Sequence, residues 1–555
     1  MYPDLERYND CDAEYRGNSF FEQNCNQIFT KGPALTKDFL GKVNAEIVPK
    51  KTYIFGREFK TKRILLTTGL SLLFSTSLFV AIVTWFTSTF DNFVLSQMVL
   101  KNNSDAFRMW QKPSAKAIYN IYIFNYTNID DYTNGYVDKL NLNELGPYAY
   151  EETLERIDIS FPTDDTISFR EKRSYNFMPR LSKGRESDML VVPNLAVIGG
   201  SAATKTQGYF TRLAYNGILS ALGEDAFLKI TAGPLITGYK DKLYELAKTF
   251  LPEGTPDKMG LMASKIGESS SIFTINTGER DMNNYAMVQE VDGKSELDYF
   301  SGNTCNSVKG TDGALQPPKL VQSKQPLYYF FPQACRRMPL NFEKETTVLN
   351  GKVPAYQYVH PEDIFDSVEE KPENGCYCNM ENGQCPLKGV FNVTMCNYDA
   401  PMFISHPHFH RADPRLLEPF TGLRPNGGDY KTYFKIHPTM GFTMSAKNSL
   451  QVNVQLQKAA NVAKLDAFED GMIFPVAILE GVLDDNTLPQ DIINTINLVT
   501  FTAPTIKLAI QYGSLLTSII TLVSLVLVLR RKSSNMQRSH TDRLIRTNEG
   551  YYVAS

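Results

Sequence analysis

At 555 residues the chain is long enough for a large buried core, and a formal net charge of −3 with both signs spread along it excludes the basic surplus of a nucleic-acid binder. Charged residues make up 21% of the chain, yet two long segments carry none. Those two segments organise everything else.

Residues 1–63 are polar and rich in Asn, and read as an unstructured tail. The opening "YPDL" places Tyr2 and Leu5 in the tyrosine-x-x-bulky pattern that endocytic adaptors read, which makes them candidate sorting residues. From Ile64 to Phe90 there is no charge, and from Leu508 to Leu529 there is none either. A spanning helix needs about 20 apolar residues to cross roughly 30 Å of hydrocarbon, so residues 64–90 and 506–529 are predicted membrane spans. Lys50, Lys51, Arg57, Lys60, Lys62 and Arg63 precede the first, and Arg530, Arg531, Lys532, Arg538, Arg543 and Arg546 follow the second. Basic flanks stay in the cytoplasm, so both termini are expected inside, with residues 91–505 outside or in a lumen. The first span lies too far from the N-terminus for an ordinary cleaved signal and is expected to act as an anchor. The tail 530–555 begins basic, as suits an anionic inner leaflet.

Between the spans the pattern is mostly that of strands. Ala117 to Asn128 is β-branched and aromatic, and in Gln451 to Gln457 the residues Val452, Val454 and Leu456 alternate with polar ones, as a half-buried strand requires. Between Gly208 and Leu251 the period changes. Phe210, Leu213, Ala214, Ile218, Ala221 and Leu222 recur at helical spacing, as do Leu243, Leu246, Ala247 and Phe250, which predicts amphipathic helices, ordinarily with that stripe facing a core. No long linker or repeat divides the region, so one large domain is expected.

Six cysteines, Cys305, Cys335, Cys376, Cys378, Cys385 and Cys396, fall in the outside region, where an oxidising compartment favours disulfides, while Cys11 and Cys25 fall in the N-terminal tail as expected free thiols. Spacing alone leaves open the fifteen pairings that six cysteines permit. Asn102, Asn125 and Asn392 head N-glycosylation sequons in the same region. The stretch "FISHPHFHRADP" sets His406, His408 and His410 at alternate positions, a spacing that in an extended strand would offer three imidazoles to a metal. No serine-nucleophile elbow, zinc-protease helix or phosphate-cradling loop occurs, so no catalytic residue and no cofactor is assigned.

The motifs "NELGPYAYEE", "VVPNLAV", "GTDGALQPP", "FFPQACRRM", "GCYC", "PHFHRADP", "GLRPN" and "GFTMSAKNSLQVNV" occur in one collinear series between the spans. The sequence therefore resembles the class B scavenger receptor family along both spans and nearly all that lies between. The resemblance implies a β-rich, antiparallel barrel-like ectodomain with a helical apex, about residues 201–251, and an apolar tunnel. It implies the disulfides Cys305–Cys376, Cys335–Cys396 and Cys378–Cys385, and a structural or pH-responsive place for the histidines instead of a metal. It also implies lipids or lipoprotein-like particles as partners, with a protein ligand at the apex as an alternative, at the plasma membrane or in endosomes and lysosomes. Oligomerisation is compatible with either.

Three departures from the family pattern stand out. The apex, basic in lipid-scavenging members, carries Glu224 and Asp225 here, a candidate capture site that would repel polyanions. Asn397 stands where some members have a lysine, and no cysteine adjoins either span.

Overall fold

The computed structural model describes residues 51–54, 57–163, 165–251, 254–378 and 385–549; Tyr2, Leu5, Cys11 and Cys25 lie outside the described residues. Two compact units are present, residues 86–509 and the membrane unit formed by residues up to 85 and from 510.

In the membrane unit the first spanning helix is Thr61–Phe86, shorter at its C-terminal end than the uncharged run; a separate short helix, Thr89–Ser96, follows it. The second belongs to the helix Ala503–Glu549, which continues through the basic segment. Most large apolar side chains on these helices are exposed, as a lipid-facing surface requires. Where the helices meet, the buried residues are Ser77, Ala81, Ser518 and Thr521, small enough for close approach, together with Gln511. The Thr76, Ser77, Thr84, Ser518 and Thr521 hydroxyls bond carbonyls of their own helix, which satisfies these donors in hydrocarbon. Gln511 Nε2 donates to the Thr84 carbonyl at 2.7 Å, and Trp85 meets Tyr512 edge-on at 5.5 Å.

The other unit is built on one sheet of fifteen strands among the described residues. Its main path runs Val288–Val291, Phe273–Asn276, Thr166–Phe177, Leu140–Thr163, Ile118–Tyr126, Ile473–Leu483, Thr443–Gln455, Tyr433–Ile436, Val353–Val359, Arg336–Val348 and Leu327–Phe331. Every pairing on that path is antiparallel. The two end strands are joined through "GTDGA". Val288 N donates to Gly310 O at 2.8 Å, and Phe330 N donates to Thr311 O at 2.8 Å. That joint nearly closes the sheet into a barrel and shields both edges. Only glycine suits position 310, because a Cβ there would lie 2.7 Å from Phe330 N and 2.8 Å from the Tyr329 carbonyl carbon.

The alternation around Val452 belongs to the strand Thr443–Gln455, but the polar face expected in water is inside. Gln451 and Asn453 are fully buried. The strand Met402–Ser405 pairs alongside, and the turn after it covers both side chains. Asn453 Nδ2 donates to Ser405 Oγ at 3.0 Å, Gln451 Nε2 to Asn453 Oδ1 at 2.7 Å, and His408 N to Gln451 Oε1 at 2.6 Å. The polar face is buried because it is fully hydrogen-bonded.

Candidate functional site

The helical zone begins earlier than the sequence pattern indicates and is interrupted by a strand. Helix Leu195–Thr204 starts where Asn194 Oδ1 accepts from Ala196 N and Val197 N, a side-chain cap on otherwise orphaned donors. Helix Tyr209–Leu222 ends at Gly223 in the left-handed region, φ 70°. Strand Phe227–Thr231 then turns back to pair with Met189–Pro193, and helix Lys242–Ala247 follows, capped by Asp241.

Helix Tyr209–Leu222 has two apolar faces. Tyr215 and Leu219 point inward, and Tyr215 Oη donates to the Val197 carbonyl at 2.7 Å. That contact brings the helix against Gly200, where a Cβ would lie 2.5 Å from Tyr215 Oη. The face read from the sequence as core, Phe210, Leu213, Ala214, Ile218 and Ala221, points out, with only Leu222 partly covered. Phe210 is 82% exposed and, beyond helix Lys242–Ala247, Phe250 is 90% exposed; Tyr209 and Leu246 are exposed as well. Isolated apolar side chains in water need no explanation, but a cluster on helices packed against one another marks a contact surface.

Beneath these helices, Leu219, Leu235 and Leu243 share one buried cluster with Ile121, Ile123 and Tyr148 of the sheet. Phe227, partly buried, packs against it, with its ring 4.8 Å from Tyr126, 5.5 Å from Phe468 and 5.6 Å from Phe474. A charged cluster borders this interior. Arg173 bonds Glu152 at 3.1 Å and Glu171 at 2.7 Å, while Tyr175 donates to Glu152 at 2.6 Å. Lys265 Nζ lies 5.6 Å above the Tyr119 ring, with no carboxylate at ion-pairing distance among the described residues. Burial, and then the Arg173 charge, pull its ammonium down to about 8.

Glu224 and Asp225 are both engaged. Asn194 Nδ2 donates to Glu224 Oε2 at 3.0 Å, so Glu224 orients the helix cap, and Asp225 pairs with Lys464 at 2.5 Å. Lys464 comes from a distant loop, and no local signal ties it to residue 225. The preceding "PN", by contrast, is a readable cap.

The three histidines are drawn to different partners. His406 lies against Phe365, its ring 4.7 Å away, and burial pushes it down to about 4. His408, at φ 54°, faces Glu144 at 3.0 Å, while Arg424 binds the same carboxylate. Burial alone would raise the Glu144 carboxyl, but His408 and Arg424 outweigh it and hold it below its usual range. His410 Nδ1 meets the Pro425 carbonyl at 2.6 Å.

The cysteines pair as Cys305–Cys376, Cys335–Cys396 and Cys378–Cys385. Asn397 Nδ2 donates to the Gln333 and Val393 carbonyls, bracing the second bridge. Asn102 is exposed in a turn, whereas Asn125 and Asn392 are half-buried on strands, with Asn125 Oδ1 accepting from Val191 N at 2.8 Å.

Two long apolar helices and a nearly closed antiparallel barrel under a helical cluster define a two-span membrane protein with a β-rich ectodomain. The sequence pattern of the CD36 family matches residues 68–529, and the chain belongs to that family. It is 32% identical over 392 residues to mouse (Mus musculus) scavenger receptor class B member 1, covering 69% of this chain and 74% of the relative. The Sus scrofa protein of that name is 33% identical over the same length and shares. Homo sapiens lysosome membrane protein 2 is 31% identical over 438 residues, 77% of this chain and 88% of the relative.

Proposed function

We propose that this protein is a membrane receptor that captures lipids or lipid-bearing particles on its helical cluster and passes the lipid through the ectodomain to the bilayer. The observation that carries this reading is the outward apolar face of Tyr209–Leu222, together with Leu246 and Phe250, above an apolar core continuous with the barrel interior. Covering one Phe side chain contributes about 1.5–3 kcal/mol, so a few such residues suffice to hold a particle surface. Shielding a dozen methylenes from water is worth roughly 10 kcal/mol at about 0.8 per CH₂, which is the barrier that a protected path lowers. A carboxylate head group in that path would meet Lys265. Both termini lie in the cytoplasm in this reading, and the chemistry is transfer without bond making.

A second reading is a trafficking receptor for a luminal protein, supported by the likeness to lysosome membrane protein 2 and by the same exposed face. Mass spectrometry of lipids bound to the purified full-length chain separates the two. A stoichiometric, exchangeable lipid supports transfer; clean protein that takes up no offered lipid overturns it and leaves the protein-ligand reading.

A further inference from the structure

Arg336 follows Cys335 directly and is 1% exposed. Its guanidinium is sandwiched between two rings, 3.7 Å from the Tyr377 centroid and 3.9 Å from that of Phe391. Nη2 donates to the Asn392 carbonyl at 3.2 Å, while Nε and Nη1 are buried without a partner. Arg156 makes the contrast plain: equally buried and stacked over Trp110, it is answered by Asp312 at 2.6 Å. Among the described residues, Arg336 has no carboxylate at ion-pairing distance.

A buried cation without a counter-charge is costly, and two aromatic faces offset only part of that cost. Burial penalises the charged form here, yet a guanidinium keeps its proton inside proteins, so the charge persists. Arg336 borders a cavity of about 10 Å³ free volume, the room of one water-sized occupant. Leu387 and Val390 form part of its apolar wall, and the carboxylate that lines it, Asp366, is turned to Lys388 at 3.4 Å.

The geometry points to a site for one small monovalent anion of chloride size, held by Nε and Nη1 of Arg336 between Tyr377 and Phe391. The anion supplies the charge that Asp312 supplies to Arg156. It also ties the strand Arg336–Val348 to the segment around Cys376 and Cys378, where Tyr377 sits.

The test is thermal unfolding of the full-length chain in detergent, at matched ionic strength, in chloride, bromide or gluconate. The midpoint in gluconate is expected to fall by about 2 °C or more relative to chloride, and bromide to restore it. Arg336→Met is expected to unfold at one temperature in all three salts. A wild-type protein insensitive to the anion, or an Arg336→Met protein that keeps the wild-type difference, overturns the site. Should that variant not fold, crystals grown in bromide decide on the wild type. An anomalous peak within hydrogen-bonding reach of Arg336 Nε supports the site, and a water there without anomalous signal overturns it.

Discussion

The strand Thr443–Gln455 and the helix Tyr209–Leu222 both reverse the usual pattern, in opposite senses. The strand buries Gln451 and Asn453, and the helix exposes Phe210, Leu213 and Ile218. In the strand every buried amide finds a partner, so the reversal is structural and rigid. On the helix the exposed face is uncovered among the described residues, save for Tyr209 edge-on to Phe210, while Tyr215 and Leu219 already supply the packing. A polar residue inside is explained by its hydrogen bonds; an apolar cluster outside is explained by what it meets.

Breaking the strand should have the largest effect. Asn453→Leu strands the Gln451 Nε2 donor in the core and removes the bond that Ser405 Oγ accepts, and is expected to cost roughly 2–4 kcal/mol, read as a lower unfolding midpoint and poor surface expression. Gly310→Val should come close behind, because a side chain there pushes apart the joint that closes the sheet; limited proteolysis of residues 288–331 is expected to accelerate. The double variant Phe210→Ser/Phe250→Ser sharpens the comparison from the other side. Its midpoint should stay within about 1 °C of wild type, since exposed positions contribute little, while lipid-particle binding falls several-fold.

Acid should weaken the barrel and not the helical face. Burial holds His360 down to about 3, and His406 and His437 each to about 4. Unfolded imidazoles bind protons below about 6.5 while these stay neutral, so stability is intact above that value and is lost as pH falls toward the folded values. At pH 5 each is expected to cost roughly 1–2 kcal/mol, and His406→Gln should flatten the slope of midpoint against pH. The smallest effect concerns Lys265: affinity for a long-chain carboxylate should fall as pH rises through about 8, and Lys265→Met should remove that dependence without altering sterol binding.

Much of this was legible in the chain. The uncharged runs located the spanning helices, residue type and period-two spacing located two of the strands, and helical spacing located part of the helical cluster. Which face turned inward was not legible, because it depends on distant partners. Gln451 is buried by a turn more than forty residues away, and Tyr215 is drawn in by the gap at Gly200. Cysteine spacing left the pairings open, and they came only from the family resemblance. Nothing local distinguishes Arg336 from Arg337, which lies over the Tyr328 ring at the sheet surface. The acidic pair at 224–225 was legible as a candidate capture site, but its bonds to Lys464 and Asn194 were not.

The central claim is that the exposed helical face admits lipid to the path through the ectodomain. The direct measurement is transfer of a fluorescent lipid from donor particles into liposomes bearing the purified full-length chain, wild type beside Phe210→Ser/Phe250→Ser. The account predicts transfer well above protein-free liposomes for wild type, and a several-fold slower rate for an equally stable double variant. Equal rates for the two proteins, or none above protein-free liposomes for either, would contradict it.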